Sequence, residues 1–398
     1  MARLALRAKL VSLARRARNL AVTATAATGL AACVAGIPGV EGGGGGGVRG
    51  DGPTRVALLV PYGSSRGTDT TVARSLENAA RLAAADLGAG VVDITVYPTQ
   101  GTPAGAQAAA TQAVGAGAQV ILGPLYADNA AAAGVAASGS GVPVLSFSNN
   151  TTIAGGNVWV LGNTFQNTAE RLLTFAARQG RNRVLITHAS NEAGQIAAQA
   201  VQAGARGSGA QITGSVAYEL SQAGIQAAVP AVVAEAQATG TNAVFLTGNT
   251  AGDLPVISQL LSEAGVGGDA YRFLGLTRWD IPAEALALPG LQGGYFALPD
   301  QGTLAQFEAR YQGANGRAPH PIANLAYDGM AAIGAIAARG QTVGRSTLTA
   351  RSGFAGTGGV FRLRGDGTVQ RALAVAQVVN RRAQVVSPAP TSFGGAGL

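Results

Sequence analysis

One cysteine, Cys33, and two histidines, His188 and His320, stand in a chain of 398 residues. A lone cysteine excludes an intramolecular disulfide, and a chain of this size can build its core without one. Two distant histidines and that cysteine offer no metal-ligand spacing, so neither a metal nor a cofactor is expected. Charged residues are 12% of the chain and aromatics 5%, so the core has to come mostly from small aliphatic side chains. Crossing a bilayer takes about 20 apolar residues. The charge-free stretch from Ala21 to Ala32 is shorter and contains threonine, which argues against a permanent membrane span.

An excess of acid is also missing. The chain has 28 basic and 20 acidic residues, a formal charge of +8. Six of the basic residues (Arg3, Arg7, Lys9, Arg15, Arg16 and Arg18) precede Cys33, and no acid does. Without those six, 22 basic residues face 20 acids. Nucleic-acid binding calls for basic residues clustered on one face, and the remainder shows no such cluster, so no nucleic-acid partner is expected. A basic region, a short apolar region and then Leu30-Ala31-Ala32-Cys33 have the order of an export signal. Leu-Ala-Ala-Cys resembles the lipobox of bacterial lipoproteins, in which the cysteine is acylated and becomes the mature N-terminus. Val34 follows, rather than the aspartate that holds enteric lipoproteins at the inner membrane. The resemblance implies a lipid anchor on Cys33 in the cell envelope, facing the periplasm and held at the outer membrane.

Glycines crowd Gly42–Gly47 and recur at Gly50 and Gly52. No strand precedes them, so they form a flexible tether rather than a phosphate-binding loop. From Thr54 onward, short apolar runs alternate with alanine-rich amphipathic stretches: Val56–Val60, Ile94–Tyr97, Val120–Leu122, Val142–Phe147, Val184–Thr187, Val244–Thr247 and Phe273–Leu276. Continuous apolar runs suit strands buried on both faces of a parallel sheet. Between the first two, Val72, Leu76, Ala79, Ala83 and Leu87 make one helical face, with Asp69-Thr70-Thr71 as capping residues and Gly88 as the stop. The alternation breaks near Leu161–Gln166 and restarts at Val184, which predicts two similar α/β lobes, each a Rossmann-like doubly wound parallel sheet. Val360–Leu363 and Leu373–Val379, around Gly365-Asp366-Gly367, suggest a hairpin.

Ligands of open α/β sheets sit beyond the carboxyl ends of the strands. The residues there are rich in hydroxyls, amides and rings: Tyr62, Tyr126, Ser146, Ser148, Asn149, Asn249, Thr277, Arg278 and Trp279. These nine are the candidate ligand cleft, suited to a small polar ligand; serine and asparagine at such places also simply make turns. Gly63-Ser64-Ser65-Arg66-Gly67 fits a nucleophile-elbow pattern. Ser65, however, lies several residues from both strand and helix, and no histidine is near it in sequence, so no catalytic residue is assigned.

Arg55–Tyr62, Ala118–Leu125, Gly141–Asn149, Arg183–Thr187, Asn242–Gly248 and Ala326-Tyr327-Asp328-Gly329 follow one another as in the type I periplasmic binding proteins of the Leu/Ile/Val-binding branch, which this chain resembles over nearly all of its exported part. That resemblance implies two lobes joined by three crossings, here near Gly162, Pro299 and Gly340. The resulting organisation is a leader over 1–32, an anchor and tether over 33–53, a first lobe over 54–163 with 300–338, a second over 164–299 with 340–387, and a loose tail over 388–398. The same segments resemble the binding-protein-like domain of penicillin-binding protein activators. In the amino-acid receptors the turn after the fourth strand holds the ligand carboxylate, a role open to Ser146, Ser148 and Asn149, and an acid in the second lobe holds the ammonium. Thr277-Arg278-Trp279 stands where that acid belongs, with Asp280 beyond it. The resemblance thus implies a non-enzymatic activator partnered with a penicillin-binding protein or a peptidoglycan fragment; the alternative is the amino-acid-type receptor of an ABC importer.

Overall fold

A computed structural model describes residues 52–393. The leader, Cys33, most of the tether and the last five residues of the tail lie outside the described residues. The first sheet holds β1 (Thr54–Val60), β2 (Val92–Pro98), β3 (Val120–Leu122), β4 (Val144–Ser146) and β5 (Val158–Val160), all parallel, in the order β2-β1-β3-β4-β5. Val56 to Val60 are all buried because helices cover both faces. On one face, α1 (Asp69–Leu87) packs with Leu58, Val60 and Leu122; on the other, α2 (Pro103–Gly115) and α3 (Ala127–Ser138) pack with Ala57, Leu59 and Ile121.

At residues 161–164 the chain passes into the second lobe. There α4 (Phe165–Arg178) starts where the Thr164 side chain accepts from the Asn167 amide. It buries Ala169, Leu172, Leu173 and Ala176 along one stripe, the 3.6-residue pattern of a core-facing helix. The second sheet runs β14 (Arg382–Ser387), β13 (Ala374–Val379), β10 (Tyr295–Leu298), β9 (Arg272–Gly275), β8 (Ala243–Leu246), β6 (Arg183–Ala189) and β7 (Gln211–Tyr218). Its parallel part is β6 to β10. α4 and α5 (Glu192–Ala205) cover one face, and α6 (Gln222–Ala238) and α7 (Leu254–Glu263) cover the other. This is the doubly wound α/β architecture expected, twice over. β5, β7 and β10 were not among the expected strands.

The chain leaves β10 at Pro299 and returns to the first lobe as α8 (Gln301–Asn315) and α9 (Ala323–Ala337), whose Tyr311, Met330 and Ile333 join the core over α1. The third crossing is not near Gly340. Val343, Leu348, Phe354, Phe361, Leu363 and Val369 all bury in the first lobe's core, so the chain stays there through β11 (Phe361–Leu363) and β12 (Val369–Arg371) and crosses at residues 372–373. The expected hairpin also pairs differently. Its second arm is β12, and β13 (Ala374–Val379) instead lies antiparallel to β10 in the second sheet, edged by β14 (Arg382–Ser387). The hairpin turn closes on the first sheet: Val160 donates to the Gly367 carbonyl, and the buried Trp159 indole donates to the Arg364 carbonyl at 3.0 Å.

Candidate functional site

The nine candidate residues do not form one cluster. In the first lobe, the Tyr62 hydroxyl donates to Glu77 at 2.8 Å, and burial, then Glu77, pushes it up to about 12. The Tyr126 hydroxyl donates to Asp69 at 2.6 Å, while the Arg66 guanidinium lies 4.5 Å from the ring centre; burial, then Asp69, raises Tyr126 above the ordinary tyrosine value. Asp69 is the first residue of α1 and is buried, not an exposed cap, and a carboxylate there is favoured by the helix dipole.

The serine-rich turn is occupied with itself. Ser146 is fully buried, donating to the Pro124 carbonyl at 2.9 Å and accepting from the Ser148 amide at 3.1 Å. Ser148 accepts from the Asn150 amide at 3.0 Å, and the Ser148 carbonyl takes the Gly162 amide, which ties the turn to the first crossing. Asn149 is exposed and lines a cavity of about 500 Å³ beside Phe165 and Ile196.

In the second lobe, Asn249 is exposed, and its amide donates to Asp253, which also accepts from Tyr218. Thr277 donates to the Gly248 carbonyl, and Arg278 grips Asp280 through Nε, at 2.9 Å, and Nη2. Trp279 is not a cleft residue. It is 0% exposed, packs on Phe296 at 5.7 Å, and slots between two glycines. A Cβ on Gly275 would stand 2.2 Å from the indole and one on Gly294 would stand 2.7 Å from it. The missing side chains are what make its slot.

Thr277 and Arg278 lead to the place where the lobes do meet around space. A cavity of about 350 Å³ is walled by Leu276–Arg278 and Ala297–Pro299 from the second lobe and by residues 321–325 from the first. All three crossings touch it, through Asn163, Pro299 and Leu373. Tyr62, Tyr126, Ser146, Ser148 and Asn249 line neither cavity.

Four polar residues on this wall were not anticipated: Asn163, Thr168, Asn324 and Arg371. Asn163 bridges Thr168 and Asn167, both at 2.8 Å. Arg371, at the end of β12, donates Nη1 to Asp328 at 2.7 Å and Nε to the Leu161 carbonyl at 2.9 Å; its backbone pairs with Asn167 of α4. Asp328 is fully buried and also accepts from the Thr357 amide and hydroxyl. One side chain therefore fastens α9, the first crossing and the third, and its strand's backbone reaches α4 in the second lobe. Asn163 follows β5 directly and was reachable by the strand-end rule, had that three-residue strand been read. Arg371 carried no sequence signal, because its place depends on where the third crossing falls.

Among the described residues no group of three histidine, cysteine, aspartate or glutamate side chains could hold a metal ion, and no helix is long and apolar enough to cross a membrane.

A model of the family described as periplasmic binding protein matches residues 53–383. Among solved structures, a branched-chain amino acid ABC transporter periplasmic ligand-binding protein from Burkholderia xenovorans is 16% identical, with 86% of this chain and 97% of that chain covered at a TM-score of 0.64. An ABC transporter substrate-binding protein from Desulfitobacterium hafniense, in complex with leucine, is 19% identical, with 84% and 100% covered and a TM-score of 0.57. An ABC transporter solute-binding protein from Rhodopseudomonas palustris, in complex with 3,4-dihydroxybenzoic acid, is 17% identical, with 85% and 96% covered and a TM-score of 0.55. At these identities the likeness establishes the fold. Among curated proteins nothing matches the chain.

Proposed function

The chain belongs to the periplasmic binding protein family, and from that premise we propose that it is the solute receptor of an ABC-type importer, taking a small ligand between its lobes. The observation that carries this is the cavity of about 350 Å³ walled by both lobes and touched by all three crossings. That volume lies within the range of small-molecule sites, and an apolar wall with a few placed polar groups is their usual lining. A ligand seated there contacts both lobes and every connection between them, so it biases their relative position, which is how a receptor signals occupancy. Relatives with this fold hold leucine, 3,4-dihydroxybenzoic acid and benzoate, each small enough for such a space.

This reading replaces the expected penicillin-binding protein activator. That expectation leaned on the missing acid near Thr277-Arg278-Trp279, and a receptor whose ligand has no ammonium accounts for the same absence. The location proposed is periplasm-facing, with lipid on Cys33 as the anchor.

The test is calorimetry and thermal melting of the purified full chain against amino acids, aliphatic and aromatic carboxylates, sugars and short muropeptides. The expected result is one chemical class binding saturably and raising the melting temperature, since a ligand at about 100 times its Kd adds about 2.7 kcal/mol. Silence across every class, together with capture of a peptidoglycan synthase by crosslinking, would overturn it.

A further inference from the structure

The cavity's lining holds two arginines, Arg278 and Arg371, and no carboxylate. Each arginine is balanced by an acid behind the wall, Asp280 for the first and Asp328 for the second. What faces a ligand is thus a set of N–H donors with no anionic acceptor among the lining side chains. Arg371 is the better placed. Its side chain is 8% exposed, two of its three nitrogens are fixed by Asp328 and Leu161, and Nη2 is buried without a partner. A fixed guanidinium this close to the wall favours an anion in the cavity over a cation.

Two helices begin at the same wall. Phe165 opens α4, and Asn324 is the second residue of α9. Their first turns add the positive ends of two helix dipoles, with the Asn167, Ala323 and Leu325 amides already bonded. Among the described residues the Asn324 side chain has no hydrogen-bond partner. The rest of the lining is apolar: Phe165, Leu276, Leu298, Ile322, Leu325 and Leu373.

Building on the receptor reading, we infer that the ligand is an organic monocarboxylate with an apolar body and no ammonium group, its carboxylate held at the hinge by the Asn324 amide on the wall shared with Arg278 and Arg371. The serine turn after β4 does not do this work, since neither Ser146 nor Ser148 lines this cavity. An α-amino acid fits poorly, because its ammonium would be desolvated against donors with no carboxylate to face it.

The experiment uses matched probes on the full chain at neutral pH, by calorimetry. One set is 4-methylpentanoate, its amide and leucine; the other is 3-phenylpropanoate, its amide and phenylalanine. In at least one set the acid is expected to bind tenfold or more tighter than both the amide and the amino acid. Asn324→Ala is expected to weaken the acid about tenfold, the worth of one hydrogen bond to a charged group. Its melting temperature without ligand should match wild type, because that side chain bonds to nothing; a changed melting temperature would contradict that placement. Amide binding equal to acid, amino acid binding tighter than acid, or unaltered acid affinity in Asn324→Ala would each overturn the inference. So would tight binding of a sugar or other neutral solute with both acids silent, and in all these cases the receptor reading survives. Silence of every solute overturns both.

Discussion

Each lobe buries one aspartate at the start of a helix and gives it a tyrosine hydroxyl, yet the two pairs are finished differently. In the second lobe Asp253 accepts from Tyr218 on one oxygen and from the Asn249 amide on the other. In the first lobe Asp69 accepts from Tyr126 on one oxygen, and the other is buried without a protein partner, close against Gly101. Tyr218 is buried, whereas Tyr126 is only half-buried. The same strand–turn–helix device thus yields a saturated pair in one lobe and an unsaturated one in the other. Saturation depends on whether the loop backbone turns back onto the carboxylate, as residues 248–253 do.

The largest effect should come from unfastening what the two lobes share. Asp328→Ala leaves the Arg371 guanidinium buried and unpaired, and removing one partner of a buried pair costs about 3–5 kcal/mol. Chemical denaturation should show that loss, measured as a lower midpoint at unchanged slope. A loss under about 1 kcal/mol would mean the charge escapes to water.

Next comes the comparison itself. Tyr218→Phe strips a buried carboxylate oxygen of its donor and should cost about 1–3 kcal/mol. Tyr126→Phe acts on a pair already incomplete and more open to water, and should cost about 1 kcal/mol or less. Equal losses in denaturant melts would erase the distinction between the lobes.

The smallest effect is in alkali. Tyr62 and Tyr327 are both pushed from 10 up to about 12 by burial and by their carboxylate neighbours. Tyr218 is pushed higher still, by burial first and then by Asp253. A tyrosine whose folded value is raised holds its proton more tightly when folded. Its contribution is therefore complete below about pH 10, the unfolded value, and is lost as pH climbs through the folded value. Stability should be flat up to about pH 10 and fall above it, and Tyr62→Phe should make that fall shallower. An ultraviolet titration of the phenolates against a melt series checks both.

Much of the fold was legible because parallel sheets covered on both faces demand continuous apolar runs, and Val56–Val60 or Val244–Thr247 show them plainly. β7 escaped because it is an edge strand: Gln211–Tyr218 is mostly half-exposed, and its pattern is mixed rather than continuous. The third crossing escaped for a tertiary reason. A glycine at a helix end, Gly340, looks like a boundary, but only the packing of Phe354 and Phe361 into the first core shows that the chain has not yet left. Trp279 was misplaced because position after a strand suggests a cleft residue, while the slot that swallows its ring is made by Gly275 and Gly294, one of them distant in sequence. The strand-end rule found Thr277 and Arg278, and it could not reach Asn324, which sits at a helix start.

That glycine slot has an optical consequence. The chain has two tryptophans: Trp279 is sealed in the second lobe, and Trp159 is 2% exposed in the first. Each lobe therefore carries its own emitter. Trp159→Phe leaves fluorescence that reports the second lobe alone, from a ring two residues along the chain from Thr277 on the cavity wall. Trp279→Phe leaves a reporter of the first lobe and its hairpin. A ligand arriving at the hinge should be visible in the former protein and nearly silent in the latter, so that each single-tryptophan variant reports one half of the molecule.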